Sequence, residues 1–262
     1  MRLSISNIAW EKSNDELIYQ YLTDSGFDGI EIAPTRLVTE NPYDNIEKSV
    51  EIANRLKNQY QLTVSSMQSI WFGHTESIFG TKEEREELIA YTEKAVNYAE
   101  AIGCKNLVFG NPKNRNMDDV NKYGIAFDFF RRLGEYAQNH GVVIALEPNP
   151  IIYNTNFINK TEDAIQFVKE VNSKGLQVNM DLGTIIWNGE DILKIFKDIR
   201  LIHHIHISEP NLVQIVKREL HTQLKDLLVR NEYDRYVSIE MKNFDDIDIV
   251  KRTIDYVNEV MR

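Results

Sequence analysis

Residues 142–147 read VVIALE, residues 176–181 read LQVNMD and residues 236–240 read YVSIE. Each is a short apolar run that ends in a carboxylate. Side chains along a strand alternate between two faces. If Glu147 takes one face, Ala145 and Val143 share it, while Ile144 and Leu146 take the other. The same parity groups Gln177, Asn179 and Asp181 against Val178 and Met180, and Tyr236, Ser238 and Glu240 against Val237 and Ile239. One face is apolar and the other is small or polar toward the end of the strand. An open sheet covered by helices on both sides would be apolar on both. A closed barrel, with helices outside and a lumen inside, accounts for the split.

The rest of the chain repeats this unit. Strands are predicted over Leu3–Ala9, Phe27–Ala33, Leu62–Met67, Asn106–Gly110, Val142–Glu147, Leu176–Asp181, Leu201–Ile207 and Tyr236–Glu240. Each is rich in Ile, Val, Leu or Tyr, and most lie beside turn or helix-cap residues. Amphipathic stretches follow each one. The clearest is Thr81–Gly103, with Thr81 as N-cap, early glutamates, apolar residues at Leu88, Ile89, Ala95, Tyr98 and Ala99, and a stop at Gly103. Thr161-Glu162-Asp163 and Asp245-Asp246 mark further helix starts. Eight units in 262 residues give about 33 residues each. Parallel strands with right-handed crossovers at that spacing predict a (β/α)₈ TIM barrel of the α/β class, one domain over residues 1–262. The competing architecture is a doubly wound open sheet, but no GxGxxG or Walker-type loop follows an early strand.

Composition narrows the function classes. Forty acidic against thirty basic residues give a formal charge of −10. Such a chain repels a phosphate backbone, so nucleic acid is not the expected partner. No apolar run approaches the ~20 residues of a membrane helix. The opening residues lack a basic stretch followed by an apolar one, so the expected compartment is the cytoplasm. The single cysteine, Cys104, offers neither a disulfide nor a thiolate zinc site and reads as a small buried hydrophobe.

Four of the last strands carry a metal-ligand side chain at or near the end. They are Glu147, Asp181, His206 and Glu240, spaced 34, 25 and 34 residues apart (181−147, 206−181, 240−206). The C-terminal ends of barrel strands form the active-site rim. Taken singly, a strand-end carboxylate reads as a cap and an isoleucine-flanked histidine as core. Four in register on consecutive strands read as a site, because burying three carboxylates without a cation is costly. Three oxygen donors and an imidazole favour one divalent Mn²⁺ or Mg²⁺, with Zn²⁺ or Co²⁺ as alternatives. By parity His204 lies one layer below His206, and His203 faces the helices. His74 follows the third strand, His140 closes a helix, and His221 could reach the rim from the seventh loop.

Glu147-Pro148-Asn149, Met180-Asp181-Leu182-Gly183, His204-Ile205-His206-Ile207-Ser208-Glu209 and Ser238-Ile239-Glu240-Met241-Lys242 resemble the xylose isomerase-like TIM barrel superfamily. That group includes sugar phosphate isomerases and epimerases, and the resemblance spans essentially the whole chain. It implies metal binding by Glu147, Asp181, His206 and Glu240, acid/base roles for the two glutamates, a carbohydrate substrate and a homo-oligomer of two or four chains. The chemistry agrees. A metal that chelates a hydroxyl and the adjacent carbonyl favours an enediolate, and a carboxylate moves the proton. Two bases on opposite faces of a carbon epimerise it; one base working between adjacent carbons isomerises an aldose and a ketose. The chain departs from the ketose 3-epimerase pattern at Tyr153, Thr184 and Leu212, where that pattern has Glu, His and Arg. The expectation is therefore a sugar or sugar phosphate isomerase/epimerase of open substrate. A dehydratase or lyase acting on a polyol or keto-acid is the alternative. An endonuclease IV-like nuclease lacks its extra histidines here, and an inactive binding barrel does not explain the intact ligand set.

Other rim residues are substrate candidates. Trp10, Trp71 and Tyr153 could wall a sugar ring, and Gln68, Asn149, Glu209 and His221 could bind its hydroxyls. Lys113, Arg115 and Lys242 could meet a phosphate or carboxylate. No glycine opens the loops after strands seven and eight for a backbone phosphate site.

Overall fold

The computed structural model describes residues 1–262. Eight strands close on themselves in sequence order: β1 Arg2–Ser6, β2 Gly29–Ile32, β3 Thr63–Met67, β4 Asn106–Phe109, β5 Val143–Leu146, β6 Leu176–Asp181, β7 Ile202–Ile207 and β8 Tyr236–Ile239. All pairs are parallel, including the closing pair of β1 and β8. One principal helix follows each strand: α1 Asp15–Asp24, α2 Ile46–Tyr60, α3 Lys82–Ala101, α4 Tyr123–Asn139, α5 Thr161–Val171, α6 Leu182–Asn188, α7 Glu219–Arg230 and α8 Ile247–Met261. The (β/α)₈ barrel read from strand parity is the architecture found.

Most strands are shorter than the sequence suggests. β1 stops at Ser6 because Asn7–Ala9 tightens into a 3₁₀ turn. Phe27 and Asp28 precede β2, with the Phe27 N–H turned back to Leu22. Glu147 and Glu240 fall one residue beyond their strands, yet their N–H groups still bond to Phe109 and Ile207 of the neighbours at 3.0 and 2.9 Å. The ladder therefore fixes both side chains at the rim. α3 begins with a full capping box: the Thr81 hydroxyl accepts from Glu84 N–H, and the Glu84 carboxylate accepts from Thr81 N–H. Gly103, at φ +73°, reverses the chain after it. Asp246 caps α8 by accepting from Asp248 N–H.

One contiguous cluster joins 70 buried apolar residues. Ile144, Leu146, Val178, Met180, Val237 and Ile239 belong to it, so the core is the shell between sheet and helices. The lumen is different. The pairing register aligns Ser4 with Gly29 and Ser238, Ser6 with Glu31, Glu31 with Ser66, Asn179 with His204 and Asp181 with His206. Small and polar residues thus line the barrel axis. No helix is long and apolar enough to cross a membrane.

Candidate metal centre

Glu147, Asp181, His206 and Glu240 converge at the C-terminal end of the barrel. One ligand atom from each lies within 4.8 Å of all the others. The Nδ1 atom of His206 stands 3.0 Å from Glu147 Oε1 and 3.1 Å from Glu240 Oε2. Asp181 is held by α6: its Oδ2 accepts from Thr184 N–H at 2.7 Å and Thr184 Oγ1 at 2.9 Å, and its Oδ1 accepts from Ser208. Asn179 donates to Glu147 Oε1 at 2.6 Å, and Asn149 to Glu147 Oε2 at 3.2 Å. Gly110 leaves room for that carboxylate, since a Cβ there would lie 2.5 Å from Glu147 Oε2.

A fifth charged group anchors the histidine from below. Glu31, on β2 and fully buried, places Oε2 3.1 Å from His206 Nε2 and 2.9 Å from His204 Nε2. A carboxylate behind one imidazole nitrogen fixes the ring and leaves the other nitrogen facing the site, as in carboxylate–histidine–metal arrangements. Gln68 spans Ser6 and Glu31 across the lumen. Glu31 does not emerge from strand-end reasoning because it lies mid-strand and its partner is 175 residues away. The available signal was a lone carboxylate inside the apolar run Gly29-Ile30-Glu31-Ile32.

The electrostatics show strain that a cation would relieve. Burial, with the Glu147 charge, pushes the Asp181 carboxyl up to about 6. Burial also pushes Glu240 up to about 7, against the opposing pull of His206. Burial lowers the His206 imidazolium, but the Glu31 and Glu240 charges outweigh it and hold the ring well above its ordinary range. Glu31 is driven the other way: burial raises it, and the two histidines more than reverse that. Three carboxylates and one imidazole nitrogen facing a common point form the oxygen-rich donor set of a hard or borderline divalent ion.

Above these ligands is a cavity of about 290 Å³. Gln68, Asn149 and Tyr153 line it, with Phe72, Val108 and Leu212 as an apolar wall and Asn111 at the rim. No Lys, Arg or His is in the lining. Tyr153 accepts from Asn211 N–H at 2.8 Å, tying the loops after β5 and β7 together.

The other candidates lie outside the lining. Trp10 is buried and donates to Asp15 at 2.9 Å. Trp71 is buried against Phe109 and donates to Thr92 of α3 at 2.8 Å. Both rings pack loops onto the barrel, outside the cavity lining. Lys113 and Lys242 are exposed, the latter 5.5 Å from the Phe244 ring centre. Glu209 is engaged by Arg218 at 2.5 and 2.7 Å. His221 bonds Tyr256 at 2.8 Å, and burial pushes it down to about 4. Arg115 is fully buried behind the site. Its Nη2 donates to Glu147 O at 2.8 Å and to Asn149 Oδ1 at 2.6 Å, so it supports the floor of the cavity. Thr184 is spent on Asp181 and Pro148 O. His74 and His140 pair with Glu76 and Glu100, and Cys104 is buried.

The profile of the xylose isomerase-like TIM barrel family matches residues 19–260. Among solved structures, 3-keto-D-glucoside 4-epimerase YcjR from E. coli is 21% identical, covers 99% of both chains and superposes with a TM-score of 0.80. D-psicose 3-epimerase from Clostridium cellulolyticum H10 is 15% identical over 100% of both chains, with a TM-score of 0.81. The probable 3-DHS dehydratase AsbF from Bacillus anthracis is 18% identical over 98% of both, at 0.72. At these identities the likeness is one of fold. No curated protein sequence matches.

Proposed function

We propose, because the chain belongs to the xylose isomerase-like TIM barrel family, that it is a metal-dependent isomerase or epimerase of an uncharged sugar. The observation that carries this reading is the convergence of Glu147, Asp181, His206 and Glu240 at the floor of the cavity. These four would hold one divalent ion, Mn²⁺ or Mg²⁺ by the oxygen-rich set and Zn²⁺ or Co²⁺ through the imidazole. Such an ion supplies polarisation of a carbonyl drawn against it. The neighbouring solved structures named as sugar epimerases support the same direction.

The remaining work falls to the chain. Glu147 and Glu240 come from β5 and β8, the two ends of the four-strand arc, and both reach His206 Nδ1. A carbonyl-adjacent carbon between them would meet a carboxylate on each face. One removes the proton and the other returns it from the opposite side, which inverts the carbon. Phe72, Val108 and Leu212 offer an apolar wall for C–H groups, and Gln68, Asn111 and Asn149 offer amides for hydroxyls. The absence of a cationic side chain from the lining favours a neutral sugar over a sugar phosphate, whose dianion would face three carboxylates.

The test is solvent deuterium exchange. The Mn²⁺-loaded protein is expected to exchange the carbon-bound proton of an α-hydroxycarbonyl sugar, and Glu147→Gln and Glu240→Gln to abolish it. Stoichiometric metal with no exchange over a broad panel of ketoses and aldoses would remove the proton-transfer reading.

A further inference from the structure

The opposite end of the barrel carries a cavity of different character. It lies at the N-terminal mouth, is about 220 Å³ in volume, and is lined by Arg2, Lys105 and Arg235 together with His203, Thr63 and Ser65. Arg2 opens β1, Lys105 immediately precedes β4, and Arg235 immediately precedes β8. The three cations therefore meet because three separate strands begin at one rim.

Their charges are not neutralised by the protein. No carboxylate lines the cavity, and none pairs with Arg2, Lys105 or Arg235, although acidic residues outnumber basic ones by forty to thirty. Arg235 uses only Nη1 within the protein, on Gln177 Oε1 and Ile202 O, both at 2.8 Å. Arg2 lies over the Tyr236 ring at 4.2 Å and gives only Nε, to Asp234 O at 3.2 Å. The buried Ser65 hydroxyl has no partner. His203 bonds Asn106 through Nδ1 at 2.7 Å, and burial together with Arg235 pushes it down to about 3, so the local field opposes further positive charge.

We propose that this mouth is a second ligand site, separate from the metal centre, that binds the phosphoryl group of inorganic phosphate or of a small phosphate ester. Guanidinium groups present several N–H donors to a tetrahedral oxyanion, and the ammonium and hydroxyl donors complete its other edges. Cations gathered in a concave, partly desolvated pocket hold an anion more strongly than isolated surface lysines. The chemistry is complementary to the catalytic cavity, whose lining is carboxylate-rich and free of cations.

Equilibrium dialysis of the purified protein against radiolabelled inorganic phosphate at low ionic strength tests this. One equivalent is expected to bind with a Kd of roughly 1 mM or tighter. Lys105→Gln is expected to weaken binding by roughly fivefold and Arg235→Gln by roughly tenfold. Lys105 is exposed, so its substitution leaves folding and the exchange reaction unchanged even if Arg235→Gln disturbs β8. Lys113→Gln, at the opposite end, is expected to leave binding unchanged. Displacement by glycerol 3-phosphate at roughly tenfold lower concentration than inorganic phosphate supports an ester as ligand, and equal potency supports the free anion. The proposal is overturned if phosphate does not bind saturably, or if Lys105→Gln leaves the Kd within roughly twofold while Lys113→Gln changes it.

Discussion

Glu31→Gln isolates the role of the carboxylate beneath the metal centre. Glu31 touches no proposed substrate and contributes no ligand, but its Oε2 lies 3.1 Å from His206 Nε2 and 2.9 Å from His204 Nε2. The amide keeps the shape and one acceptor and removes the charge. His206 then loses the partner that fixes its ring and raises the basicity of Nδ1. Losses of this kind weaken metal binding by roughly 10- to 100-fold, or about 1.4–2.7 kcal/mol. Titration calorimetry with Mn²⁺ on the metal-free variant reads this directly. The same substitution removes charge-assisted hydrogen bonds from the fully buried core of the lumen, which costs about 1.5–3 kcal/mol of stability in the metal-free protein. Thermal melts should therefore fall by roughly 5 °C for a chain of this size. A variant that binds Mn²⁺ with wild-type affinity would refute the reasoning, because His206 would then be oriented without Glu31. A variant with weaker metal binding and an unchanged melting temperature would keep the orienting role and discard the stability argument.

Three further outcomes follow from other contacts. In Gly110→Ala the new methyl meets Glu147 Oε2 at 2.5 Å, so the carboxylate must swing away; deuterium exchange should fall by roughly 100-fold with little change in melting temperature. In Trp71→Phe the hydrogen bond to Thr92 is lost, costing about 1 kcal/mol in denaturant unfolding, while the KM for any sugar turned over stays at the wild-type value. In the metal-free protein, Asp181 and Glu240 have raised carboxyl pKa values, about 6 and 7, so the folded state binds protons that the unfolded state releases. This contribution to stability is present in acid and is lost as pH rises through those values, and the raised His206 acts in the same direction. Glu31 is lowered, so its contribution fades only below the ordinary carboxylate range. Melting temperatures without metal should therefore decline between about pH 5 and 8, less so in Glu240→Gln, and Mn²⁺ should reverse the slope because it binds the deprotonated ligands. A metal-free slope that Glu240→Gln leaves unaltered would show that this cluster does not control the profile.

The parts of the site that the sequence discloses are those governed by strand parity. Asp181 and His206 pair across β6 and β7, and Glu147 and Glu240 continue their strands by one residue, so a local alternation plus a common rim suffices to group all four. The orientation of the rim aromatics lies beyond strand parity. Trp10 and Trp71 follow strands, but which way an indole turns depends on Asp15, Thr92 and Phe109, residues that no periodicity links to them. Arg115 reads as a phosphate ligand by type and becomes a buried support by position, because Asn149 and the Glu147 carbonyl close over it. The apolar wall at Phe72 and Leu212 depends on loop geometry, with Leu212 itself at a positive φ of 52°.

The polar lumen connects these observations. A barrel whose axis was filled with Val, Ile and Leu would gain packing inside as well as outside. Here the axis holds Ser4, Ser6, Glu31, Ser66, Asn179, His204 and Ser238, and several of their polar atoms lack protein partners. The shell between sheet and helices, with its 70-residue cluster, then carries the apolar packing. That division frees the axis to transmit position. Glu31 can reach across from β2 to His206 on β7 only because small side chains on β1, β3 and β8 leave the space between them. Filling that space should therefore uncouple the metal centre from its anchor before it harms the fold. Ser238→Val, placed in register with His206 and losing a buried hydroxyl that has no partner, is the substitution in which metal affinity and stability should part company: weaker Mn²⁺ binding, with a melting temperature close to that of the wild type.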